Sequence, residues 1–313
     1  MTRIVFMGTP DFSVEVLKNL LKAGYHVVGV VTQPDRPVGR KRVLTPTPVK
    51  VLALESGIPV FQPEKIKEDY EVVLRWEPDL IITAAFGQII PKVLLDAPKH
   101  GCINVHASLL PKYRGGAPIH QAIIDGNKET GVTIMYMDVA MDTGDMISKV
   151  VVPIEEDDHV GTMFGKLGIA GAKLLVDTLP NLLAQNITPK KQDGSLATFA
   201  WNIKREQERV QWEKTAPKVY DQVRGLHPWP VAFTLLPDGT AVKIWWGKPA
   251  TGIYTEAPGT IVSLGKEGIG VACGGQTGFL ITDLQVSGKK RMEVAALLNG
   301  GHPFEIGMKL GGN

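Results

Sequence analysis

An asparagine and a histidine two residues apart, Asn104 and His106, are the side chains of this sequence best suited to chemistry at a carbonyl group. They belong to the run 102–106, which alternates apolar and polar residues and precedes a Ser-Leu-Leu-Pro turn at 108–111. Such alternation predicts a strand, on which residues two apart point to the same face. The asparagine can hydrogen-bond a carbonyl oxygen, and the histidine can carry a proton near neutral pH. The pair suits attack on a carbonyl, and the alternative is a polar rim on an ordinary strand.

Three aspartates, Asp138, Asp142 and Asp145, lie in a glycine-containing loop after a second alternating run at 130–137. Ligands of open α/β sheets gather at the carboxyl ends of strands, so we expect this loop to meet the turn after His106 there. A carboxylate beside an imidazole can relay protons, but the spacing does not select one of the three acids. The sequence has no P-loop, metal-ligand cluster or nucleophilic serine or cysteine motif, which favours direct transfer between two bound substrates.

The segment 33–48 is long for a connection in an α/β unit, and it is rich in proline and glycine. It contains four basic residues against one acidic residue, with Arg40, Lys41 and Arg42 in a row after Gly39. We expect a loop without regular structure of its own. The three cations are suited to contacting phosphates, and the alternative is a basic loop that is only solvated.

Composition predicts a soluble globular protein of two domains: 313 residues, 44% of them hydrophobic, with no apolar run long enough to cross a bilayer. We expect no leader segment, and the two distant cysteines, Cys102 and Cys273, favour a reducing cytoplasm. Residues 1–189 contain 19 basic and 21 acidic residues, whereas residues 190–313 contain 15 and 11. The basic C-terminal part hints at a polyanionic partner, although ordinary surface variation explains the counts equally well.

The N-terminal half alternates buried strands with amphipathic helices, which predicts an α/β domain with a Rossmann-like, open and mostly parallel sheet. In its first turn we expect Thr9 to cap a helix whose first residue is Pro10. That turn lacks the GxGxxG fingerprint and no acidic residue ends the strand at 26–32, so a dinucleotide cofactor is disfavoured.

Several short strands at close spacing follow in the C-terminal part, and their number suits a small β-barrel of the OB type. The predicted division is an N-terminal catalytic domain over residues 1–189, a linker over 190–207, and a C-terminal domain over 208–313.

A longer motif around the asparagine and histidine resembles the signature of the 10-formyltetrahydrofolate-dependent formyltransferases. Its residues are Asn104, His106, Ser108, Leu109, Leu110 and Pro111, then Arg114-Gly115 and Asp142-Thr143-Gly144. Further similarity is to the branch of that family that acts on methionyl-tRNA. It lies in Gly8-Thr9-Pro10-Asp11-Phe12, in the run 32–40 and in Pro46-Thr47-Pro48-Val49-Lys50.

The resemblance implies the formyltransferase fold and an enzyme that moves the formyl group of 10-formyltetrahydrofolate, a co-substrate, to the methionine amino group of initiator methionyl-tRNA. It implies that Asn104 hydrogen-bonds the formyl oxygen and that His106 stabilises the oxyanion. Asp142 would orient His106 and assist proton transfer.

By the same resemblance, Ser108, Leu109, Leu110 and Pro111 would shape the folate site. The loop with Arg40, Lys41 and Arg42 would reach the acceptor end of the tRNA, and the barrel would hold the acceptor arm through its phosphates. A metal-free, cytoplasmic monomer without membrane contact is expected.

Two alternatives stay open. A formyltransferase acting on a nucleotide-sugar amine or a purine precursor would share Asn104, His106 and Asp142 without needing a basic loop or barrel. A non-catalytic RNA- or folate-binding protein with the same fold is the other alternative.

Overall fold

A computed structural model of the chain describes residues 1–39 and 41–312 and divides into two compact units. The first unit comprises residues 1–118, 129–153 and 164–201, and the second comprises 119–128, 154–163 and the residues from 202 onward. Within the described residues, no helix combines the length and apolar character needed to cross a membrane.

The elements follow the predicted order of alternating strands and helices and then mainly strands. The strands are β1 (Arg3–Gly8), β2 (His26–Val31), β3 (Arg36–Val38), β4 (Val43–Thr45), β5 (Val60–Phe61), β6 (Leu80–Ala84), β7 (Cys102–His106), β8 (Glu129–Tyr136), β9 (Met146–Pro153), β10 (Ala232–Leu235), β11 (Ala241–Ala250), β12 (Ile261–Gly265), β13 (Gly268–Cys273), β14 (Thr277–Val286) and β15 (Met292–Glu293). The helices are α1 (Asp11–Lys22), α2 (Pro48–Glu55), α3 (Glu71–Arg75), α4 (Lys92–Asp96), α5 (Pro118–Ile124), α6 (Val160–Leu183), α7 (Arg205–Glu208), α8 (Ala216–Gly225) and α9 (Val294–Leu297).

The first unit is built on a seven-stranded sheet in the order β5-β2-β1-β6-β7-β8-β9. The first five strands are parallel, and β8 and β9 are antiparallel to their neighbours. All of β6 and nearly all of β1 is buried, as parallel strands covered on both faces require. The predicted Rossmann-like, mostly parallel sheet is confirmed.

The first helix begins one residue later than predicted. Pro10 occupies the N-cap position of α1 with an extended backbone, and the hydroxyl of Thr9 does not cap the helix. Instead, Thr9 Oγ1 donates to the carbonyl oxygen of Phe86 at 3.1 Å and accepts from the amide of Gln33 at 3.4 Å. Thr9 therefore ties the turn after β1 to the turn after β6, because a threonine hydroxyl can donate and accept at once.

The basic segment contains a short hairpin, so the prediction of a loop without regular structure was wrong. Strands β3 and β4 pair antiparallel, with Val38 opposite Val43, and Gly39 begins the turn at a φ of 72°. All residues of both strands are exposed, which leaves no apolar–polar alternation to reveal them in the sequence.

An ion pair holds the chain just before this hairpin. Lys50 Nζ lies 2.6 Å from Asp35 Oδ2, and Gln62 Nε2 donates to Asp35 Oδ1 at 2.7 Å. These hydrogen bonds from Gln62 and Lys50 hold the pKa of Asp35 below its ordinary value. The pair fixes the start of the hairpin while its tip stays in solvent.

The second unit contains a separate antiparallel sheet, which confirms the predicted series of short strands in the C-terminal part. Its strands run in the order β10-β11-β14-β13-β12, with β15 against β14. Trp212 and Phe279 are among its largest buried side chains, and Trp212 Nε1 donates to Thr234 Oγ1 at 3.0 Å. The indole of Trp212 thus fills the core without leaving its N–H unpaired.

Three histidines of the second unit lie in surroundings that disfavour the protonated imidazolium. The rings of His159 and His227 meet edge to face with 4.6 Å between centroids, and both contact Trp246. Burial lowers the pKa of both, and the neighbouring His159 lowers that of His227 further. His120 is 8% exposed, and burial lowers its pKa as well.

We therefore expect acidification to destabilise the folded protein. Because the folded-state pKa values lie below the ordinary 6.5, the unfolded chain binds more protons as the pH falls through that value. The urea midpoint should fall between about pH 7.5 and about pH 5.5, at a cost on the order of 1 kcal/mol. His227→Gln, which retains a donor for the backbone of Trp245, should show a smaller fall. The matched control is His26→Gln at an exposed site; an equal reduction there would contradict the assignment.

Candidate active site

The asparagine of the central pair is oriented by a threonine on the neighbouring strand. The register of β6 and β7 places Thr83 beside Asn104, and Thr83 Oγ1 donates to Asn104 Oδ1 at 2.8 Å. The same hydroxyl also lies 3.2 Å from the carbonyl oxygen of Ile103 and from Met137 Sδ, but Asn104 Oδ1 is the nearest acceptor. With Oδ1 turned toward Thr83, the NH₂ group of Asn104 is the end left to donate to a ligand. Asn104 is therefore preset to donate to a carbonyl oxygen.

The histidine of the pair is nearly buried, with 7% of its side chain exposed. Its Nε2 lies 3.0 Å from the carbonyl oxygen of Tyr113. Because a carbonyl oxygen can only accept, Nε2 carries the proton of this bond and Nδ1 is the nitrogen open to proton exchange. Nδ1 of His106 faces Asp142 Oδ1 at 3.7 Å, which is too long for a direct hydrogen bond.

Of the three aspartates of the loop, the structure brings Asp142 to the histidine. Its second oxygen, Oδ2, accepts a hydrogen bond of 2.7 Å from the backbone N–H of Gly115. The carboxylate of Asp138 instead accepts from the amide of Val139 at 2.6 Å, within its own loop. Asp145 contributes its backbone, whose carbonyl oxygen accepts from the amide of Tyr136 at 2.9 Å.

Gly115 is required where it stands. It has a φ of 118°, and a Cβ atom there would lie 2.7 Å from the carbonyl oxygen of Ala200. Any residue with a side chain would adopt this positive φ only with strain, and its Cβ atom would push the backbone at position 115 away from Ala200. The N–H that binds Asp142 depends on this close approach.

The route by which Asp142 reaches His106 differs from the prediction. We expected two carboxyl ends of strands to meet, but β8 is antiparallel to β7, with Tyr136 opposite Ile103. The loop 137–145 thus starts near Cys102, at the far end of β7 from His106. It meets the histidine because it bends back, which a rule for parallel strands does not anticipate.

A glutamine from the predicted linker holds the bent loop. Gln192 Nε2 donates to the carbonyl oxygens of Asp142 at 2.7 Å and Gly144 at 2.8 Å. Its Oε1 accepts from the buried guanidinium of Arg114, at 2.8 Å from Nη2 and 3.1 Å from Nε. Sequence reasoning missed Gln192, because a polar residue in a polar stretch breaks no pattern.

The turn predicted to line the folate site is divided between core and surface. Ser108 and Leu110 are buried, and Ser108 Oγ donates to the carbonyl oxygen of Lys112 at 2.7 Å. Leu109 and Pro111 are partly exposed, so they are the side chains that could contact a ligand directly. The folate role of all four residues stays a prediction.

Two of the three predicted tRNA-binding cations, Lys41 and Arg42, lie in the turn between β3 and β4. Lys41 and Arg42 are exposed, and Arg42 has a φ of 47°. Arg40, the third residue of the prediction, lies outside the described residues. In residues 1–39 and 41–312, the side chains of Asn104, His106 and Asp142 hydrogen-bond to Thr83, Tyr113 and Gly115 and not to Lys41 or Arg42.

Backbone strain occurs around the candidate site. Ala85 after β6, Tyr113 and Asp142 all have positive φ, at 47°, 60° and 53°. Residues other than glycine adopt such values at a cost of roughly 1–3 kcal/mol, which is common at functional sites.

In residues 1–39 and 41–312, no group of three or more His, Cys, Asp or Glu is placed to hold a metal ion.

Two family models match the chain: the formyl transferase model over residues 2–179 and the formyl transferase C-terminal domain model over residues 202–302. The methionyl-tRNA formyltransferase of Bacillus subtilis (strain 168) is 61% identical over 315 residues, which cover 100% of this chain and 99% of that relative. The methionyl-tRNA formyltransferase of Geobacillus sp. (strain WCH70) is 59% identical over 314 residues, or 99% of this chain and 98% of that relative.

Among solved structures, WlaRD, a sugar 3N-formyl transferase studied in the presence of dTDP and 5-N-formyl-THF, aligns with a TM-score of 0.67. The alignment covers 93% of this chain and 99% of that chain at 18% identity, so it shows a shared fold. The match to the N-terminal family model alone spans more than half of the sequence, and the relatives match it from end to end. The chain belongs to the formyl transferase family.

Proposed function

We propose that the protein transfers the formyl group of 10-formyltetrahydrofolate to the methionine amino group of initiator methionyl-tRNA, giving formyl-methionyl-tRNA for translation initiation. The observation that carries the proposal is the 61% identity over the full chain to a methionyl-tRNA formyltransferase. The arrangement of Asn104, His106 and Asp142 supports it chemically. In the reaction, the amino nitrogen bonds to the formyl carbon, the bond from that carbon to N10 breaks, and one proton passes from the amine to N10.

Asn104 would act on the formyl oxygen, where negative charge grows as the amine attacks. Thr83 already holds the carboxamide oxygen, so the NH₂ group needs no reorientation to donate. A preorganised donor of this kind contributes a factor of roughly 100–1000 in rate.

His106 and Asp142 would handle the proton and the oxyanion. With Nε2 bound to the carbonyl of Tyr113, a proton on Nδ1 lies opposite the Asp142 carboxylate and stabilises nearby negative charge. The 3.7 Å gap between Nδ1 and Oδ1 suits a bridging group such as a water molecule or the attacking amine. The pair can then accept the amine proton and return one to N10.

We assign substrate recognition to other parts of the chain. Leu109 and Pro111, with Ser108 and Leu110 beneath them, would border the folate. The basic segment with Arg40, Lys41 and Arg42 would contact the acceptor end. In this proposal residues 1–189 form the catalytic domain, 190–207 a linker and 208–313 the tRNA-binding domain.

The alternatives have less support. WlaRD, which acts on a sugar, is only 18% identical to this chain. A non-catalytic role leaves the oriented Asn104 and the His106–Asp142 pair unexplained. We further propose a monomer, as the family resemblance implies, and a cytoplasmic location, which the two free, buried cysteines suit.

The purified protein should formylate initiator methionyl-tRNA with 10-formyltetrahydrofolate, and should act far more slowly on elongator methionyl-tRNA or a nucleotide-sugar amine.

Asn104→Ala should lower kcat by a factor of roughly 100–1000 without unfolding the protein. Asn186→Ala, at an exposed asparagine, is the matched control. Turnover of the sugar amine in preference to tRNA would overturn the proposal, and an Asn104→Ala rate within a few-fold of wild type would overturn the residue assignment.

Gln192 is expected to act as a positioning residue. Gln192→Ala should lower kcat about 10- to 100-fold, because the loop carrying Asp142 would lose its two donors. Gln192→Glu should keep the bond to Arg114 but turn over at least as slowly as the alanine variant, because its second carboxylate oxygen would repel the carbonyl oxygens of Asp142 and Gly144. Wild-type kcat in the glutamate variant would show that the tie to the loop is dispensable.

Replacing both Lys41 and Arg42 by alanine should raise KM for tRNA about 10-fold and leave KM for the folate unchanged. The slope of log affinity against log salt should fall by about one for each cation that contacts a phosphate. Lys18→Ala/Lys22→Ala, which removes two exposed cations from α1, is the control. If both double variants weakened tRNA binding equally, the contribution of Lys41 and Arg42 would be a general effect of charge and not a specific contact.

A further inference from the structure

Two aromatic side chains of the first unit stack on each other in solvent. The rings of Phe199 and Trp201 are 5.4 Å apart between centroids and only 4° from parallel. Their exposed fractions are 50% and 57%, whereas Ala200 between them is fully buried. Large aromatic side chains usually contribute to a core, so a parallel pair left open on one segment suggests a contact surface.

Backbone hydrogen bonds hold the segment under this pair firmly. The amide of Ala200 donates to the carbonyl oxygen of Arg114 at 2.7 Å, and the amide of Arg114 donates to that of Thr198 at 2.9 Å. The carbonyl oxygen of Ala200 accepts from the amide of Ala117 at 3.0 Å. The aromatic pair is therefore fixed to the strip 113–117 and does not depend on a free loop for its position.

The same strip supplies two backbone contacts of the candidate active site. The carbonyl of Tyr113 contacts His106, and the N–H of Gly115 binds Asp142. Backbone hydrogen bonds therefore join the stacked pair to the strip that contacts His106 and Asp142, where the methionine amine must arrive.

The charge of these segments suits a nucleic acid. Residues 112–117 and 190–201 together contain four cations and one acid. Lys112, Lys190 and Lys191 are exposed, and the fourth cation is the buried Arg114. A stacked aromatic pair on segments that also carry exposed lysines fits bases joined by phosphates better than it fits an apolar protein surface.

We propose that Phe199 and Trp201 form a stacking platform for the unpaired bases at the 3′ end of the tRNA. The inference rests on the proposed function, since the methionine amine can reach His106 only at the end of that strand. Every base has a π-face, so the platform would position the strand without reading its sequence. It would make these two aromatics positioning residues that act on the substrate and not on the formyl group.

A double-mutant cycle on binding tests the platform without any turnover. The probes are uncharged initiator tRNA, intact or lacking its unpaired 3′ nucleotides, titrated against wild type and Phe199→Ala/Trp201→Ala. Removing the 3′ nucleotides should weaken wild-type binding about 10-fold or more and the alanine variant no more than about 2-fold. Phe199→Tyr/Trp201→Phe keeps two stacking rings and should behave as wild type. Both side chains are exposed, so thermal stability should change little in either variant.

The outcomes separate this inference from the function. Equal loss on truncation in wild type and the alanine variant would overturn the platform while leaving tRNA binding in place. Failure of wild type to bind tRNA at all would overturn the proposed function and the platform with it. A raised KM for 10-formyltetrahydrofolate in the alanine variant, with tRNA binding unchanged, would assign the rings to the folate and also overturn the platform.

Discussion

One backbone N–H holds the site together: the 2.7 Å hydrogen bond from Gly115 to Asp142 Oδ2. It keeps a carboxylate with 17% of its side chain exposed beside a nearly buried imidazole, although the residue has a positive φ. A partly buried charge without such a donor would be strongly disfavoured. The bond in turn needs a residue without Cβ at 115, because the carbonyl of Ala200 passes directly over it. The position of Asp142 therefore depends on a segment almost sixty residues further along the chain.

The sequence predicted those parts of the fold that depend on burial. Strand β6 is a buried run of mostly apolar residues, and the long helix α6 repeats apolar residues at helical spacing, so both were recognisable. The hairpin of β3 and β4 was missed because it buries nothing. The cap of α1 was misplaced because Thr9 could hydrogen-bond either its own helix or the turn after β6. Only the three-dimensional neighbour, the carbonyl of Phe86, decides between them.

For the candidate site, the strand pattern predicted only the placement of Asn104 and His106 on one face. Asn104 and His106 lie on one strand, where a period of two places them on one face. The choice of Asp142 among three acids needed the family resemblance, because spacing in a loop carries no geometry. The direction of β8 was not decidable, since alternation looks the same in parallel and antiparallel strands. Gln192 could not be predicted from the sequence, because its NH₂ group binds the backbone carbonyls of Asp142 and Gly144, and every residue has such a carbonyl.

In the proposed mechanism, Arg114 would connect substrate recognition with catalysis. Its guanidinium binds Gln192, which holds the loop of Asp142, and its backbone pairs with the segment that carries Phe199 and Trp201. A shift of the strip 113–117 would move the aromatic pair and the His106–Asp142 pair together, because backbone groups of this strip hydrogen-bond to both. The segment that would receive the end of the tRNA is thus hydrogen-bonded to the same strip, 113–117, whose Tyr113 carbonyl contacts His106. Binding energy from the remote bases could then be used to align the amine with the formyl carbon.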